Sequence, residues 1–203
     1  STAIQVACSR TFHHDLCYKS LLSLHKNTSR TPSNSITLSK VFTLSLQAGI
    51  NELSDQIIPE LKKKLITETN RWRLRSLKKC DNWLTDSLGL LNSSLTIMGA
   101  DEPNEKIFSY ANFTFYMEVK ITDARDNIAA CRSESIHMKM KEAWFYADNS
   151  LRILYYRTEI HQELNPTIAS LWNSLFMSGA FGMVLAYIPF VFLFFLVILF
   201  LRT

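Results

Sequence analysis

The chain is poor in the residues that interrupt regular secondary structure. It has 203 residues, and only three glycines (Gly49, Gly89 and Gly99) precede residue 165. Proteins built from β-sheet need many turns, and turns depend heavily on glycine and proline. The scarcity of both therefore favours an all-α protein with long helices.

Motifs that carry enzyme chemistry are missing as well. The sequence has no GxSxG elbow, no GxGxxG or GxxxxGK[ST] phosphate loop, and no CxxC pair. His13, His14 and His25 are interpreted as surface histidines, with a pH-sensitive contact to a partner as the alternative. The sequence therefore offers no candidate catalytic, cofactor-binding or metal-ligating residue.

The charge is mild overall but uneven. A net charge of +4 gives no reason to expect a nucleic-acid partner. However, the stretch Lys62–Lys79 holds eight cations against a single anion, Glu68. Either this stretch is a solvated helix end and connector, or it attracts an acidic polymer or an anionic patch on a partner.

Four features predict the secretory pathway. The four cysteines (Cys8, Cys17, Cys80 and Cys131) are an even set that suits disulfides in an oxidising compartment, with buried free thiols as the alternative. N-x-[ST] sequons at Asn27, Asn92 and Asn112 are candidate glycosylation sites. A start at Ser1 suits removal of a signal peptide, or simply a shortened chain.

The fourth feature is the apolar tail. No charged residue occurs from Asn165 to Leu201, and residues 179–201 are long enough to cross a bilayer as a helix, which needs about 20 apolar residues. Glu163 and Arg202 flank the tail and favour a cytosolic C-terminus. A GPI signal with its attachment site at Ser178 is the alternative anchor. We therefore expect a membrane-attached protein exposed at the cell surface.

Apolar residues recur at helical spacing in four segments. Amphipathic helices joined by short loops predict an up-and-down four-helix bundle, with a kink or end near Ile58 because Pro59 follows. The stripes are Leu46, Ile50, Leu53, Ile57, Leu61 and Leu65; Leu77, Cys80, Leu84, Leu88, Leu91 and Leu95; Met117, Ile121, Ala124, Ile128 and Cys131; and Met140, Ala143, Ala147, Leu151 and Leu154.

The N-terminal spacing resembles the plant pectin methylesterase inhibitor and invertase inhibitor family. Cys8 is followed three residues later by Thr11, nine residues later by Cys17, and then by Ser20 and Leu21. The segment from Ala124 to Cys131 is similar to the small-residue run before the family's fourth cysteine. The resemblance covers roughly residues 3–155. The interval from Cys80 to Cys131 looks longer than usual in the family, with the extra length around residues 101–115.

The resemblance implies a four-helix bundle with an N-terminal helical hairpin and the disulfides Cys8–Cys17 and Cys80–Cys131. The expected domains are the hairpin at 1–35, the bundle at 36–163, a juxtamembrane stretch at 164–178 and a transmembrane helix at 179–201. The function implied is a non-catalytic inhibitor that occludes a cell-wall enzyme, most readily pectin methylesterase.

Three alternatives stay open. Invertase is the second possible target, although the Pro-Lys-Phe motif of invertase inhibitors is replaced by Pro103, Asn104 and Glu105. A membrane-anchored adhesion or signalling bundle without inhibitory activity is the next. The last is a wall-polysaccharide binder that holds acidic pectin through Lys62–Lys79.

Overall fold

A computed structural model describes residues 2–28, 36–99, 103–131 and 137–165, and every regular element in these ranges is helical. The helices are α1 (Thr2–Ser9), α2 (His14–Thr28), α3 (Leu38–Asn51), a π-helical segment (Glu52–Ile57), α4 (Ile58–Thr67), α5 (Arg71–Met98), α6 (Glu105–Ser109), α7 (Ala111–Ala130), α8 (His137–Tyr155) and α9 (Arg157–Leu164).

Four long helices close into a ring in which each packs on two neighbours. Helix α3 contacts α5 and α8, and α7 contacts α5 and α8. The α3 and α8 helices run antiparallel, since the Ser45 hydroxyl lies 2.9 Å from that of Ser150 while Gly49 packs on Tyr146. The described part of the chain therefore contains an up-and-down bundle of the predicted kind.

The four apolar stripes face the centre of this bundle, as predicted. Nearly all of their members are buried, and the exceptions at Leu65, Leu88 and Leu151 are half-buried. Phe42 adds a large side chain that the stripes do not include, and it is fully buried in α3. Burial of these side chains is the main source of the bundle's stability, because burying each one contributes roughly 1.5–3 kcal/mol.

The helix does not end at Pro59. Residues 38–67 form one continuous helical run in which the π-helical segment directly precedes α4, and Pro59 lies in the first turn of α4. The amide of Ile58 donates to the carbonyl of Leu53, five residues earlier. A π-helical turn shifts the hydrogen-bond pattern, so the missing N–H of proline is accommodated without a break.

The segment around residues 101–115 contains a short helix that caps one end of the bundle. Asn104 caps the N-terminus of helix α6, because its side chain accepts a hydrogen bond from the amide of Ile107. The ring of Phe108 is buried, and its centroid lies 5.2 Å from that of the Phe42 ring. The Ser39 hydroxyl donates a hydrogen bond to the Glu105 carboxylate. The extra length between Cys80 and Cys131 thus covers the start of α3.

The chain divides into two compact units, residues 1–160 and 161–203. Of the second unit the structure describes only residues 161–165, where the amide of Asn165 donates to the carbonyl of His161. The predicted transmembrane helix at 179–201 and the candidate GPI site at Ser178 lie outside the described residues. Within the described ranges, no helix combines the length and the apolar character that crossing a membrane requires.

Candidate binding surfaces

A disulfide and a local hydrogen-bond network hold the N-terminal hairpin in shape. Cys8 at the end of α1 is bonded to Cys17 in α2, and both are buried. Thr11 is also buried, and its hydroxyl donates to the carbonyl of Cys8 at 2.8 Å. His14 Nδ1 lies 2.8 Å from the same oxygen. The spacing of Cys8, Thr11 and Cys17 therefore has a geometric basis. Thr11 lies between the two bonded cysteines, and its hydroxyl supplies a hydrogen bond to a carbonyl at the end of α1.

The turn of the hairpin packs on α8 through aromatic and ionic contacts. The guanidinium of Arg152 lies 3.1 Å from the ring centroid of Phe12. The His13 ring lies 3.4 Å from that of Phe145, between centroids. Burial lowers the pKa of His13 from its usual value of 6.5, and Lys141 and Arg152 also lower it, whereas Asp148 acts in the opposite direction.

Asp148 is the buried centre of this contact. Its carboxylate accepts a hydrogen bond from Arg152 at 2.9 Å and lies 3.5 Å from the guanidinium of Arg125 on α7. The side chain of Asp148 is only 6 % exposed, whereas the two arginines retain about a quarter of their exposure. One carboxylate thus connects α7, α8 and, through Arg152, the hairpin turn.

A second disulfide fixes α7 to α5. Cys80 in α5 is bonded to Cys131, which follows the last residue of α7. Farther along the same pair of helices, the buried Ser87 hydroxyl donates to the carbonyl of Ala124 at 3.0 Å. Both disulfides have the pairing that the sequence resemblance implies. Together with the buried stripe on α7, these links give that helix a defined position.

The outer side of α7 carries a second apolar surface. Phe115, Tyr116 and Val119 are 67 %, 49 % and 44 % exposed, and their spacing places them on one face of the helix. We call these three residues the aromatic face. Lys120 lies 4.9 Å from the Tyr116 ring and donates to Ser93 on α5, which connects this face to the neighbouring helix.

Sequence reasoning missed the aromatic face, although the pattern was visible. It identified only the stripe from Met117 to Cys131, which is buried. A helix that is apolar on two sides has an apolar surface left over after packing, and Phe115 and Val119 at a spacing of four residues are the signal of it.

The basic stretch forms one corner of the bundle, where α4 ends and α5 begins. Its exposed cations without an ion-pair partner among the described residues are Lys62, Lys63, Arg71, Arg73, Arg75, Lys78 and Lys79, which we call the basic corner. Lys64 differs, because it pairs with Glu60 at 3.3 Å. Trp72 projects from this corner with 77 % exposure, and Arg75 lies 5.4 Å from its ring centroid.

The candidate glycosylation sites are all on exposed helical surface. Asn27 lies near the end of α2, Asn92 in the last two turns of α5, and Asn112 in the first turn of α7. Asn112 shares the side of α7 that carries the aromatic face. Whether these positions carry glycans stays a prediction.

The interpretation of the histidines needs one correction. His14 is exposed and His13 is half-buried, but His25 is only 4 % exposed, so its assignment to the surface was wrong. His25 lies in α2, which packs on both α1 and α3. Among the described residues, no cluster of three or more His, Cys, Asp or Glu side chains could hold a metal ion.

These features define a class of protein: a disulfide-linked helical bundle that presents binding surfaces. The family model described as plant invertase/pectin methylesterase inhibitor matches residues 2–154. The chain therefore belongs to the plant invertase/pectin methylesterase inhibitor family, as the N-terminal spacing predicts. Members of this family are inhibitors and not catalysts. No curated protein and no solved structure matches the chain.

Proposed function

We propose that this protein inhibits a pectin methylesterase by binding beside its substrate cleft through the aromatic face of α7. The observation that carries the proposal is the exposure of Phe115, Tyr116 and Val119 on a helix whose opposite side is buried and cross-linked. Exposed aromatic side chains on a rigid element are typical of protein interfaces, because they bury much apolar area with little loss of conformational entropy.

The choice of pectin methylesterase over invertase rests on the loop before α7. Invertase inhibitors carry a Pro-Lys-Phe motif, and here Pro103 is followed by Asn104, whose side chain caps α6. The residue after Pro103 is thus committed to a local structural role. Invertase is the alternative target, and a bundle without inhibitory activity is the alternative outside enzyme inhibition.

The proposed setting is an oxidising compartment on the secretory pathway, with the inhibitor facing the cell wall. Two disulfides that join buried cysteines support it, because such bonds persist outside the cytosol. Attachment to the membrane through residues 179–201 is a separate part of the proposal. It is supported only by the apolar composition of that segment.

The test is a titration of the full chain, kept in a neutral detergent, into a plant pectin methylesterase and a cell-wall invertase. We expect loss of esterase activity to be complete at one inhibitor per enzyme, with invertase unaffected. The variant Phe115→Ser/Tyr116→Ser should inhibit at least about tenfold more weakly without a change in melting temperature, because both side chains are exposed.

Tyr155→Ser is the matched control, since Tyr155 is an exposed aromatic residue on α8. If it weakened inhibition as much as the α7 variant, the aromatic face would not be the contact. Inhibition of invertase alone would show that invertase, and not pectin methylesterase, is the target. No effect on either enzyme at micromolar concentration would exclude the inhibitor function.

A further inference from the structure

We propose that the basic corner is a second binding site, separate from the aromatic face, that holds a linear polyuronate, a sugar chain carrying carboxylates. The site consists of the exposed cations of α4 and α5 together with the Trp72 ring. Occupation of this site would keep the inhibitor on the acidic polymer that a pectin methylesterase produces when it removes methyl groups from pectin. It requires no contact with the enzyme.

The first argument is the linear arrangement of charge. Arg71, Arg75 and Lys78 follow one another at spacings of four and three residues, so they lie along one side of α5. At 1.5 Å per residue the row is about 10 Å long. An extended polymer with a carboxylate on every sugar presents a row of anions, and arginine binds a carboxylate through two parallel hydrogen bonds.

The second argument is that no carboxylate among the described residues neutralises these cations. Within the described residues none of the basic corner's members forms an ion pair, although carboxylates are close in sequence. Glu60 pairs with Lys64, and the Glu68 carboxylate accepts a hydrogen bond from the amide of Asn70 at 2.8 Å. Seven unpaired cations in one corner therefore produce a strong positive potential facing solvent.

The third argument concerns the position of the arginines on the helix. The first turn of α5 contains Arg71 and Arg73 and no acidic residue. Cations at this end of a helix oppose its dipole and lower its stability. The backbone amides at this helix end are not the proposed binding groups, because the amides of Trp72 and Arg73 already donate hydrogen bonds to the Asn70 side chain. The unfavourable arginine positions make sense if an external anion binds to the side chains.

The fourth argument is the exposed ring. Trp72 lies beside the row of cations, with Arg75 against its face. Sugar rings pack on flat aromatic surfaces, so an indole next to cations suits a charged carbohydrate. An anionic membrane is the competing partner. Cations alone can hold a protein at an anionic bilayer, but insertion requires a wide apolar surface, and the large exposed apolar side chains described at this corner are Trp72 and Ile66.

The experiment measures binding of the full chain, in a neutral detergent, to immobilised polygalacturonate in the absence of any enzyme. We expect binding that weakens steeply with salt and is lost when the polymer is fully methyl-esterified. The variant Arg71→Gln/Arg75→Gln/Lys78→Gln should bind at least about tenfold more weakly and with a shallower dependence on salt, because fewer counterions are displaced.

Two control variants test whether a loss of binding comes from the site itself, from the lower net charge or from misfolding. Lys19→Gln/Lys26→Gln/Lys106→Gln removes the same charge from exposed positions elsewhere, and it should change binding by less than about twofold. Arg71→Glu/Arg73→Glu should abolish binding while the melting temperature stays the same or rises, since acidic residues suit the start of a helix. Trp72→Ala should reduce affinity several-fold without changing the salt dependence.

The proposal would be overturned if the two triple glutamine variants lost affinity for polygalacturonate equally. Undiminished binding to the methyl-esterified polymer would overturn it as well. Binding to anionic phospholipid vesicles without binding to polygalacturonate would assign the corner to a membrane surface instead. The inhibition test is independent of these outcomes, because the basic-corner variants leave the aromatic face of α7 intact.

Discussion

The N-terminal hairpin consists of two short helices, α1 and α2, which are joined by a disulfide across nine residues and pack on α3, with further contacts to α8. In the bundle, four longer apolar stripes meet in one core. The hairpin buries a few side chains, such as Ile4 and Leu21, and its turn adds the contacts of Phe12 with Arg152 and of His13 with Phe145. The bundle depends on area buried along whole helices. Structures held by few contacts open at lower free energy than a common core does. We therefore expect the hairpin to open first.

Removing each disulfide tests this difference most strongly. Cys80→Ala/Cys131→Ala opens a link across 51 residues, and the chain-entropy relation gives a loss of about 4 kcal/mol in the free energy of unfolding. Cys8→Ala/Cys17→Ala opens a link across nine residues, for which the same relation gives about 2.5 kcal/mol. Urea unfolding of both variants measures the two losses.

Amide hydrogen exchange then shows where each loss occurs. The Cys8→Ala/Cys17→Ala variant should lose protection mainly in α1 and α2, while the other variant should lose it across α5 and α7. Equal loss of protection in all helices of both variants would mean that the hairpin and the bundle unfold as one unit.

Asp148→Asn tests the ionic contacts that connect the hairpin turn to the bundle. The variant removes the charge that neutralises Arg125 and Arg152, and we expect a loss of about 2–3 kcal/mol because the lost partner was buried. Asp126→Asn is a matched control: Asp126 also contacts Arg125, at 3.0 Å, but its side chain is 63 % exposed. Its effect should stay within about 0.5 kcal/mol. Similar losses for both variants would show that burial of Asp148 is not what matters.

The bundle could be predicted from the sequence more fully than its surfaces could. The stripes work because burial repeats with the helical period, so Met117 and Ile121 reveal their environment without any tertiary information. The apolar residues of the aromatic face of α7 are equally visible in the sequence. Only the stripe from Met117 to Cys131 was recognised, however, and it was assigned to the core. Which of two apolar sides becomes buried depends on the neighbouring helices, which the sequence of one helix does not contain.

Three local features depended on tertiary structure. Pro59 was expected to kink or end the helix near Ile58, and the helix does not end there because the π-helical turn before it keeps the run continuous. Helix α6 has five residues, too few for a periodic signal, and the packing of Phe108 on Phe42 accounts for its position. His25 was assigned to the surface from its residue type, and it is buried in α2, a helix that packs on both α1 and α3.

Gly89→Ala tests a smaller effect, confined to the bundle. Gly89 is exposed in the middle of α5, and a β-carbon there would meet no atom within 4 Å. We expect a gain of about 0.5–1 kcal/mol in the free energy of unfolding, because alanine favours the helix and restricts the unfolded chain. Protection of α1 and α2 against hydrogen exchange should be unchanged.

Gly49→Ala is the matched comparison, since its β-carbon would lie 3.4 Å from Leu91 and 3.5 Å from Tyr146. Those contacts leave less freedom for adjustment, so the gain should be smaller than for Gly89→Ala. A loss of stability in Gly89→Ala would contradict the prediction.

The smallest expected effect is a pH dependence confined to the hairpin. Because burial lowers the pKa of His13 below 6.5, the folded hairpin favours the neutral ring. The unfolded chain takes up a proton as the pH falls through about 6.5, and the folded chain does so only at lower pH. The stabilising contribution is therefore complete above about 6.5 and decreases as the pH falls through that value towards the folded pKa.

Hydrogen exchange between about pH 7.5 and 5, corrected for intrinsic rates, measures this effect. Protection of α1 and α2 should fall with pH relative to that of α5 and α7. His13→Gln, which cannot take up a proton, should remove the difference, while His14→Gln should keep it. The groups around His13 are Asp148, Lys141, Arg152 and His14, and Asp148 favours the protonated ring. Should Asp148 outweigh burial, protection would rise as the pH falls, and the assignment of burial as the dominant influence on His13 would be wrong.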